Sequence, residues 1–492
     1  MSRRLRGFKR WMRSQGIICS DALELTDGGD EGISVRSVCD LAEGDLVATI
    51  PKNACLTIKT SAAREMIEEA GLAGSLGLSV ALMYEKSLGE ASPWAGYLQI
   101  LPERECLPVV WTLDEVDTYL HGTELHKTVK EDKSHIYEDW KECILPLVDF
   151  GPLKLNPKSF QVEQYLAAKS LVSSRAFEID DYHGYGMVPL ADLFNHKTGA
   201  EDIHFTSVCS HPGSNDGDNI ESNDEYDRNA DEDLLTENFH SRDSCSLTAD
   251  AGNYYLNCSD VDSSSNSGDD PMILELILVK DVKAGDEVFN TYGSMGNAAL
   301  LHRYGFTEPD NPFDIVNIEL NLVTKWSSSL FSARYTRARL LFWRRLGFSG
   351  CISHSCEYFE ISSDGEPQLE LVILLYIICL PEVVYDKLNN RVSSVENINE
   401  SMNILLLHKN NAEVPLGTTE IDKDLLLTKN VCDALHSLVD IRESFYGQNS
   451  LEDDMEALRT CCMRERKLYH SLTLRVTERR ILKKLRTYAS SR

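Results

Sequence analysis

The sequence lacks a long hydrophobic run. Its longest uninterrupted apolar stretch, residues 371–380, is far shorter than the roughly 20 residues that a membrane-spanning helix needs. Residues 1–16 carry basic side chains around scattered apolar ones, without the apolar core of a signal peptide. The sequence therefore predicts neither a membrane protein nor a secreted one. A location in the nucleus or the cytoplasm is favoured, and a basic transit peptide for an organelle is the alternative.

Standard catalytic and metal-binding motifs are also missing. The chain has no P-loop, no G-x-S-x-G, no HExxH and no well-placed G-x-G-x-x-G. Its 14 cysteines follow no repeating spacing, which indicates reduced thiols rather than a disulfide framework or a structural zinc site. No metal centre is predicted.

Basic residues are scarce: 49 lysines and arginines face 78 acidic residues, for a net charge of -29. Residues 207–270 hold 16 acidic residues and two arginines among many serines, asparagines and glycines, so their own charge is 2 − 16 = -14. Such a composition predicts a disordered acidic loop, either a solvated spacer or a docking site for a basic partner. Residues 464–492 are basic, but their apolar spacing predicts a packed helix rather than a nucleic-acid-binding arm.

A ten-residue pattern occurs twice, at residues 38–47 and 279–288. Both copies read V-x-D-(L/V)-x-x-G-D-x-V. The first copy lies within residues 33–50, whose alternation and Glu-Gly-Asp turn predict strand, turn, strand. Residues 272–279 predict a further strand that is buried on both faces. A sheet protein whose matching hairpins lie so far apart must carry the intervening chain as an insert.

The intervening chain reads as mostly helical. Residues 60–172 are rich in helix-forming residues and predict a helical insert. From residue 311 onward, amphipathic segments such as 325–346 and 369–380 predict a separate helical domain. The predicted fold class is therefore α+β.

Three clusters of residues could carry chemistry. Residues 28–33 are glycine-rich and precede the first predicted strand, residues 192–196 read Asp-Leu-Phe-Asn-His, and residues 289–293 read Phe-Asn-Thr-Tyr-Gly ahead of a second tyrosine at 304. Each cluster also has a commoner explanation by pattern alone. The first is more often a plain turn, the second a hydrogen-bonded histidine in the core, and the third a pair of packing tyrosines.

Taken together and in order, these clusters resemble the SET-domain protein lysine methyltransferases, in the branch typified by the plant Rubisco large-subunit lysine methyltransferase. The resemblance covers residues 8–314 well and the helical remainder more loosely. It points to the subgroup that holds a yeast ribosomal-protein lysine methyltransferase and an animal SET-domain enzyme. The matching segments are SPWAGYL at 92–98, LP at 101–102, Trp111, LHGTEL at 120–125, SRAF at 174–177, PLADLFNH at 189–196, FNTYG at 289–293 and YGF at 304–306.

The resemblance implies an architecture. It predicts a β-rich SET domain over residues 1–310, split by the helical insert at about 60–172 and carrying the disordered acidic loop at about 207–270. An all-α substrate-binding domain would follow over residues 311–492. In this family the Asn-His segment is threaded beside the final tyrosine segment, which is an exception to the usual unthreaded topology.

The resemblance also implies an activity: transfer of a methyl group from S-adenosylmethionine to a lysine of a non-histone protein, with a basic protein such as a ribosomal protein as a candidate. No direct nucleic-acid or membrane partner is implied. Tyr292 would be the catalytic tyrosine. The cofactor would be bound by Glu31, Gly32, Ile33, Arg175, Asn195, His196, Tyr292 and Tyr304, and the substrate by Trp94, Ser174, Asp192 and Tyr304.

Two alternatives stay open. A relative in the same branch methylates a histidine and lacks a tyrosine at the position that matches Tyr304, so the intact Tyr304 favours lysine here. The other alternative is a catalytically inactive binding module. The complete set of Asn195, His196, Tyr292 and Tyr304 argues against that alternative.

Overall fold

The computed structural model describes residues 2–29, 32–207, 273–347, 358–392 and 423–492. It confirms the predicted α+β class, with short strands in the first part of the chain and mostly helices in the second. The predicted acidic loop lies outside the described residues except for its first residue, and Glu31 lies outside them as well. Among the helices that the structure does describe, none combines the length and apolar character that a membrane crossing requires.

Antiparallel strands from both sides of the helical insert build the first part of the chain. The strands are β1 (Ile18–Cys19), β2 (Leu23–Asp27), β3 (Ile33–Ser37), β4 (Leu46–Pro51), β5 (Leu56–Thr57), β6 (Ala176–Asp180), β7 (Gly184–Met187), β8 (Ile203–Ser207) and β9 (Ile273–Leu278). One sheet has the order β1-β4-β9-β8, a second has the order β5-β7-β6, and β2 pairs with β3. Strands that are distant in sequence are thus neighbours in the sheets.

The two copies of the ten-residue pattern pair with each other. Leu41 and Val282, which occupy the same position in their copies, exchange two backbone hydrogen bonds of 2.9 and 3.0 Å. The aspartates of the two copies, Asp40 and Asp281, each accept a hydrogen bond from the backbone of the other copy's turn, at 2.9 and 3.0 Å. The repeat is therefore one self-complementary unit with local two-fold symmetry, rather than two independent hairpins.

The prediction for residues 272–279 is half right. A strand is present as β9, but its burial alternates: Leu274, Leu276 and Leu278 are buried, whereas Ile273 is 45% exposed. The prediction of burial on both faces was wrong because β9 is covered by the core on one face only. Its apolar residues on the other face remain partly accessible.

The insert is helical, as predicted. Two of its long helices, Gly74–Leu88 and Val162–Arg175, pack against each other, and the first also contacts β5 and β7. A capping box between Thr112 and Glu115 begins the shorter helix Leu113–Tyr119 and satisfies its first free backbone N–H groups. The helices are Arg64–Glu69, Gly74–Leu88, Ala95–Leu98, Leu113–Tyr119, Leu125–Asp139, Leu145–Phe150 and Val162–Arg175, preceded in the chain by Arg3–Ser14. The last insert helix runs directly into β6 and so places Ser174 and Arg175 at a sheet edge.

The second part of the chain is mostly helical and has its own apolar core. That core surrounds the helix Leu369–Cys379, in which residues 371–378 are all buried, and also contains a small sheet of β10 (Val316–Glu319) and β11 (Tyr358–Ile361). The helix Asn297–Tyr304 precedes this part of the chain. The other helices within it are Leu320–Leu330, Ala333–Arg345, Glu382–Val392, Lys423–Leu426, Lys429–Ser444, Leu451–Thr460 and Arg466–Ser490. We call Arg466–Ser490 the long helix.

A further apolar cluster joins the two parts of the chain. It combines Trp111 and Leu125 of the insert with Leu301 and with Leu474 of the long helix, all of them buried. The long helix is therefore packed against the first part of the chain and not only against its own helical neighbours.

Candidate functional site

Two chain segments that are 96 residues apart cross at the centre of the candidate site. The backbone N–H of Asn290 donates to the carbonyl of Asn195 at 2.9 Å, and His196 and Asn290 form a parallel bridge. The backbone N–H of Tyr292 then donates to Nδ1 of His196 at 2.9 Å. The crossing holds the Asn-His segment directly beside the tyrosine segment.

The hydrogen bonds of His196 define its protonation. A backbone N–H can only donate, so Nδ1 must accept from Tyr292, and the ring proton must lie on Nε2, which is 3.2 Å from Oγ1 of Thr198. Burial lowers the pKa of His196, although Glu308 acts in the opposite direction. The imidazole is therefore a neutral acceptor at neutral pH.

Two tyrosine rings form one wall of the site. The centroid of the Tyr292 ring is 4.4 Å from that of Tyr304 and 5.0 Å from that of His196. The hydroxyl of Tyr292 donates to the carbonyl of Phe194 at 3.0 Å. Burial raises the pKa of Tyr292 and of Tyr304, so both phenols stay protonated. The hydroxyl oxygen of Tyr292 can therefore still accept a hydrogen bond from a bound ligand.

Gly305 explains the spacing of the Tyr-Gly-Phe segment. It ends the helix Asn297–Tyr304 in the left-handed conformation, with φ of 77°, and a Cβ there would lie 2.9 Å from the carbonyl oxygen of Cys106. Only glycine allows this turn at this close approach. The turn places Tyr304 and Phe306 in the same cavity wall.

A buried ion pair lies at the bottom of the candidate site. Nη1 of Arg175 lies 3.2 Å from Oδ2 of Asp192, whose side chain is fully buried, and Nε of Arg175 donates to Glu105 at 2.7 Å. The hydroxyl of Tyr97 donates to the same Oδ2 at 2.8 Å. Burial alone would lower the pKa of Arg175, but Asp192 and Glu105 raise it, so the guanidinium stays charged.

Asp192 has one free acceptor in this arrangement. Its Oδ1 is buried and makes no hydrogen bond within the described part of the chain. Burial raises the pKa of Asp192, while Arg175 and Tyr97 oppose that effect.

These groups line a cavity of about 400 Å³. Nearly all of the residues predicted for the site lie along it: Gly32, Ile33, Ser174, Arg175, Asp192, Asn195, His196, Tyr292 and Tyr304. Sequence reasoning missed several further lining residues: Arg4, Gly29, Ile100, Pro102, Glu105, Leu193, Phe306 and Arg466. Pro102, Leu193 and Phe306 belong to the matching segments and could have been included. Arg466 carries no signal in its local sequence.

One predicted site residue of the described ranges, Trp94, does not lie along the cavity. Trp94 is buried in the main core, 5% exposed, and its Nε1 donates to the carbonyl of Ala54 at 3.0 Å. Its ring is thereby held away from the cavity wall. Glu31 lies outside the described residues, next to Gly32.

Comparison with known proteins identifies relatives of the chain. No family model matches. The chain is 26% identical over 363 residues to ribosomal lysine N-methyltransferase 3 of Saccharomyces cerevisiae, with 63% of this chain and 65% of the relative covered. It is 24% identical over 362 residues to the N-lysine methyltransferase setd6 of Xenopus laevis, with 69% and 65% covered. The aligned part thus spans slightly less than two thirds of the length of each of these relatives.

Solved structures with the same fold were also found. The SET domain of LSMT bound to lysine and AdoHcy superimposes with a TM-score of 0.64 at 18% identity and covers 99% of this chain and 91% of its own. Rubisco LSMT bound to AdoMet gives a TM-score of 0.62 at 18% identity, with 100% and 92% covered. The resemblance predicted from the sequence motifs is therefore confirmed, and the chain has the fold of the SET-domain proteins of the Rubisco large-subunit methyltransferase type.

Proposed function

We propose that this protein is an S-adenosylmethionine-dependent protein-lysine N-methyltransferase. The observation that carries the proposal is the cavity in which Tyr292, Tyr304, Asn195, His196 and the Arg175 ion pair meet. The relatives named as lysine methyltransferases support the same activity.

The cavity suits the cofactor in size and in lining. Its volume falls within the range of about 300–1,000 Å³ that small-molecule sites occupy. Gly29 and Gly32 line it with φ of 66° and 88° and leave their backbone uncovered for a ligand. Gly32 and Ile33 would bind the methionine end together with Arg175, and Asn195 and His196 the adenine side. When bound, S-adenosylmethionine supplies a methyl group on a positively charged sulfur.

The tyrosine side of the cavity suits a lysine amine. A free lysine has a pKa near 10.4, so its nitrogen is protonated at neutral pH and cannot act as a nucleophile. A channel walled by the rings of Tyr292 and Tyr304 excludes water and favours the neutral amine. The lone pairs of the Tyr292 hydroxyl can accept an N–H from the amine and orient it.

We further propose that residues 311–492 form a substrate-binding domain, with the boundary near residue 310. Its core is distinct from that of the first part of the chain. A basic, non-histone protein, such as a ribosomal protein, is the proposed substrate, and the nucleus or the cytoplasm is the proposed location. The named activity of the yeast relative supports a ribosomal target.

The activity is tested by incubating the protein with labelled S-adenosylmethionine and a ribosome-rich lysate that has been stripped of methylation. Mass spectrometry of each labelled band should place the label on a lysine. Tyr292→Phe should retain affinity for S-adenosylhomocysteine and lose at least about 100-fold in turnover, because it removes the hydroxyl that orients the amine. Tyr185→Phe, at an exposed tyrosine away from the cavity, is the matched control.

The outcomes separate the alternatives. Label on a histidine would replace lysine methylation with histidine methylation. Full turnover in Tyr292→Phe would remove the role proposed for its hydroxyl. Failure of the wild-type protein to bind S-adenosylhomocysteine would leave the binding module as the better interpretation.

The acidic segment offers a test of the basic substrate. Ser207 and Leu274 are paired neighbours on β8 and β9, so a short hairpin turn can replace residues 208–272 without moving either strand. We expect this deletion to preserve cofactor binding, to slow methylation of a basic protein at low salt and to weaken the salt dependence of that rate. An unchanged rate and salt dependence would exclude a role of this segment in substrate attraction.

A further inference from the structure

Three arginines line the cavity, and they differ in what they already bind. Arg175 is held by Asp192 and Glu105, and Arg4 forms an ion pair with Asp27 at 3.3 Å. The guanidinium of Arg466 forms neither a hydrogen bond nor an ion pair with any residue in the described ranges. Of the three, Arg466 therefore has the guanidinium that is available to a ligand.

The start of the long helix is anchored on the first part of the chain. Lys467 forms an ion pair with Glu115 at 2.7 Å and lies 5.7 Å from the ring centroid of Trp111. One turn beyond Arg466, Nδ1 of His470 accepts from the backbone N–H of Thr307 at 3.1 Å. The residue before Thr307 is Phe306, which lines the cavity. These contacts fix Arg466 at the Phe306 end of the cavity.

This end of the cavity is aromatic. The ring of Phe306 lies 6.0 Å from that of His196 and 6.3 Å from that of Tyr304. A planar guanidinium stacks well on the face of an aromatic ring, which an ammonium does less well. Adenine is the aromatic part of the proposed cofactor, and the proposed function places it beside Asn195 and His196.

We propose that Arg466 binds the adenosine part of the cofactor by packing its guanidinium against the adenine ring. This inference rests on the proposed function and goes beyond it, because it assigns a cofactor contact to the helical part of the chain. Docking of the long helix then completes the cofactor site. The two parts of the molecule would share one ligand.

The test compares two ligands by isothermal titration calorimetry with the full chain. S-Adenosylhomocysteine contains both the adenosine and the amino-acid part, whereas 5′-methylthioadenosine lacks the amino-acid part. Arg466→Ala should lower the affinity for both ligands by a similar factor, roughly 3- to 10-fold. Arg466→Lys keeps the charge without the planar group and should retain only part of the affinity. Arg464→Ala, an exposed arginine that does not line the cavity, is the matched control and should bind both ligands as the wild type does.

Three results would overturn the inference. Weaker binding of S-adenosylhomocysteine alone would assign Arg466 to the carboxylate of the amino-acid part. Unchanged affinity of Arg466→Ala for both ligands, with normal binding by the wild type, would remove Arg466 from the site while leaving the proposed function intact. Absence of binding by the wild type would overturn the proposed function and this inference together.

Discussion

At the scale of single residues, His196 links the two ends of the cavity. Its Nδ1 receives the backbone N–H of Tyr292, while its ring stacks against the tyrosine ring itself. A proton on Nδ1 would turn this acceptor into a donor and place two donors face to face. The neutral state of His196 is therefore a condition for the observed position of Tyr292.

The pH dependence of cofactor binding should reflect this condition. The pKa of His196 lies below its ordinary value of 6.5 in the folded protein, so its contribution to stability is complete above pH 6.5 and is lost as the pH falls through the lowered pKa. Because the proposed site requires neutral His196, affinity for S-adenosylhomocysteine, measured by calorimetry from pH 7.5 downward, should fall only below pH 6.5, as the pH passes through the lowered pKa.

His196→Asn provides the control for this experiment. The amide oxygen of asparagine can accept the N–H of Tyr292 and does not titrate. The variant should bind more weakly at pH 7.5, because it loses the ring stack, but its affinity should change little down to pH 5. A pH dependence equal to that of the wild type would assign the titration to another group.

Sequence reasoning located the residues whose neighbours in the chain carry a recognisable pattern. Asn195, His196 and Tyr292 were predicted because the short segments that contain them match the sequence motifs of the family. Glu105 and Arg466 were missed because each is an ordinary charged residue in its own segment and reaches the cavity only through tertiary packing. Trp94 lies in a matching segment, yet its indole is buried in the core, so a motif match alone did not predict the direction of its side chain.

At the scale of elements, the segment LHGTEL at residues 120–125 acts as a joint between the insert and the helix Lys429–Ser444. The carbonyl of Gly122 accepts from Nη1 of Arg442 at 2.7 Å. Gly122 has φ of 82°, and a Cβ there would lie 2.6 Å from the carbonyl oxygen of Phe445. The glycine is therefore required both by its conformation and by the close approach of a second backbone.

Gly122→Ala should destabilise this joint. The left-handed conformation costs an alanine about 1–2 kcal/mol, and the contact with rigid backbone atoms adds to that cost. Gly71→Ala is the matched control, because Gly71 has φ of 67° but has no atom within 4 Å of a Cβ. We expect the urea midpoint to fall more in Gly122→Ala than in Gly71→Ala; equal midpoints would show that the close approach costs nothing.

Elements were predicted better than their pairing. The repeated pattern predicted turns and strands at both positions, but the contact between Leu41 and Val282 could not be predicted from the repeat itself. A repeat in sequence is compatible with two separate hairpins as well as with one paired unit. Only the assembled sheet distinguishes these arrangements, because the pairing partners lie beyond any local pattern.

At the scale of the whole molecule, two acids lie where the parts of the chain meet: Glu478 is fully buried and Glu124 is partly buried. Oε1 of Glu478, in the long helix, accepts from the backbone N–H of Glu124 at 3.2 Å, and its Oε2 lies 3.3 Å from Nη2 of Arg442. Burial and the neighbouring Glu478 together raise the pKa of Glu124 to about 8, although Arg442 acts against both. One arginine faces two acids, so Glu124 retains its proton at neutral pH.

Because of this proton, the stability of the junction depends on pH between 4.5 and about 8. The ordinary pKa of a glutamate is 4.5, so between pH 4.5 and about 8 the folded protein holds a proton at Glu124 that the unfolded chain has lost. Stability should therefore fall as the pH rises through this window. Glu124→Gln should reduce the loss of thermal midpoint between pH 5.5 and 8.5.

The matched control is Glu90→Gln, at an exposed glutamate away from the junction. Its midpoint should follow that of the wild type at every pH. If the midpoint of Glu124→Gln also followed that of the wild type, the loss of stability with rising pH would have to come from another group.

The crossing of residues 195–196 with residues 290–292 has a practical consequence for studies of this chain. The cavity exists only after segments that are 96 residues apart have found each other, and contacts of such long range form late and together with the rest of the core. A molecule that is compact but wrongly threaded would present no cavity. The fraction of a preparation that binds S-adenosylhomocysteine would then measure the fraction of correctly threaded molecules, which is a more demanding standard of sample quality than solubility or helix content.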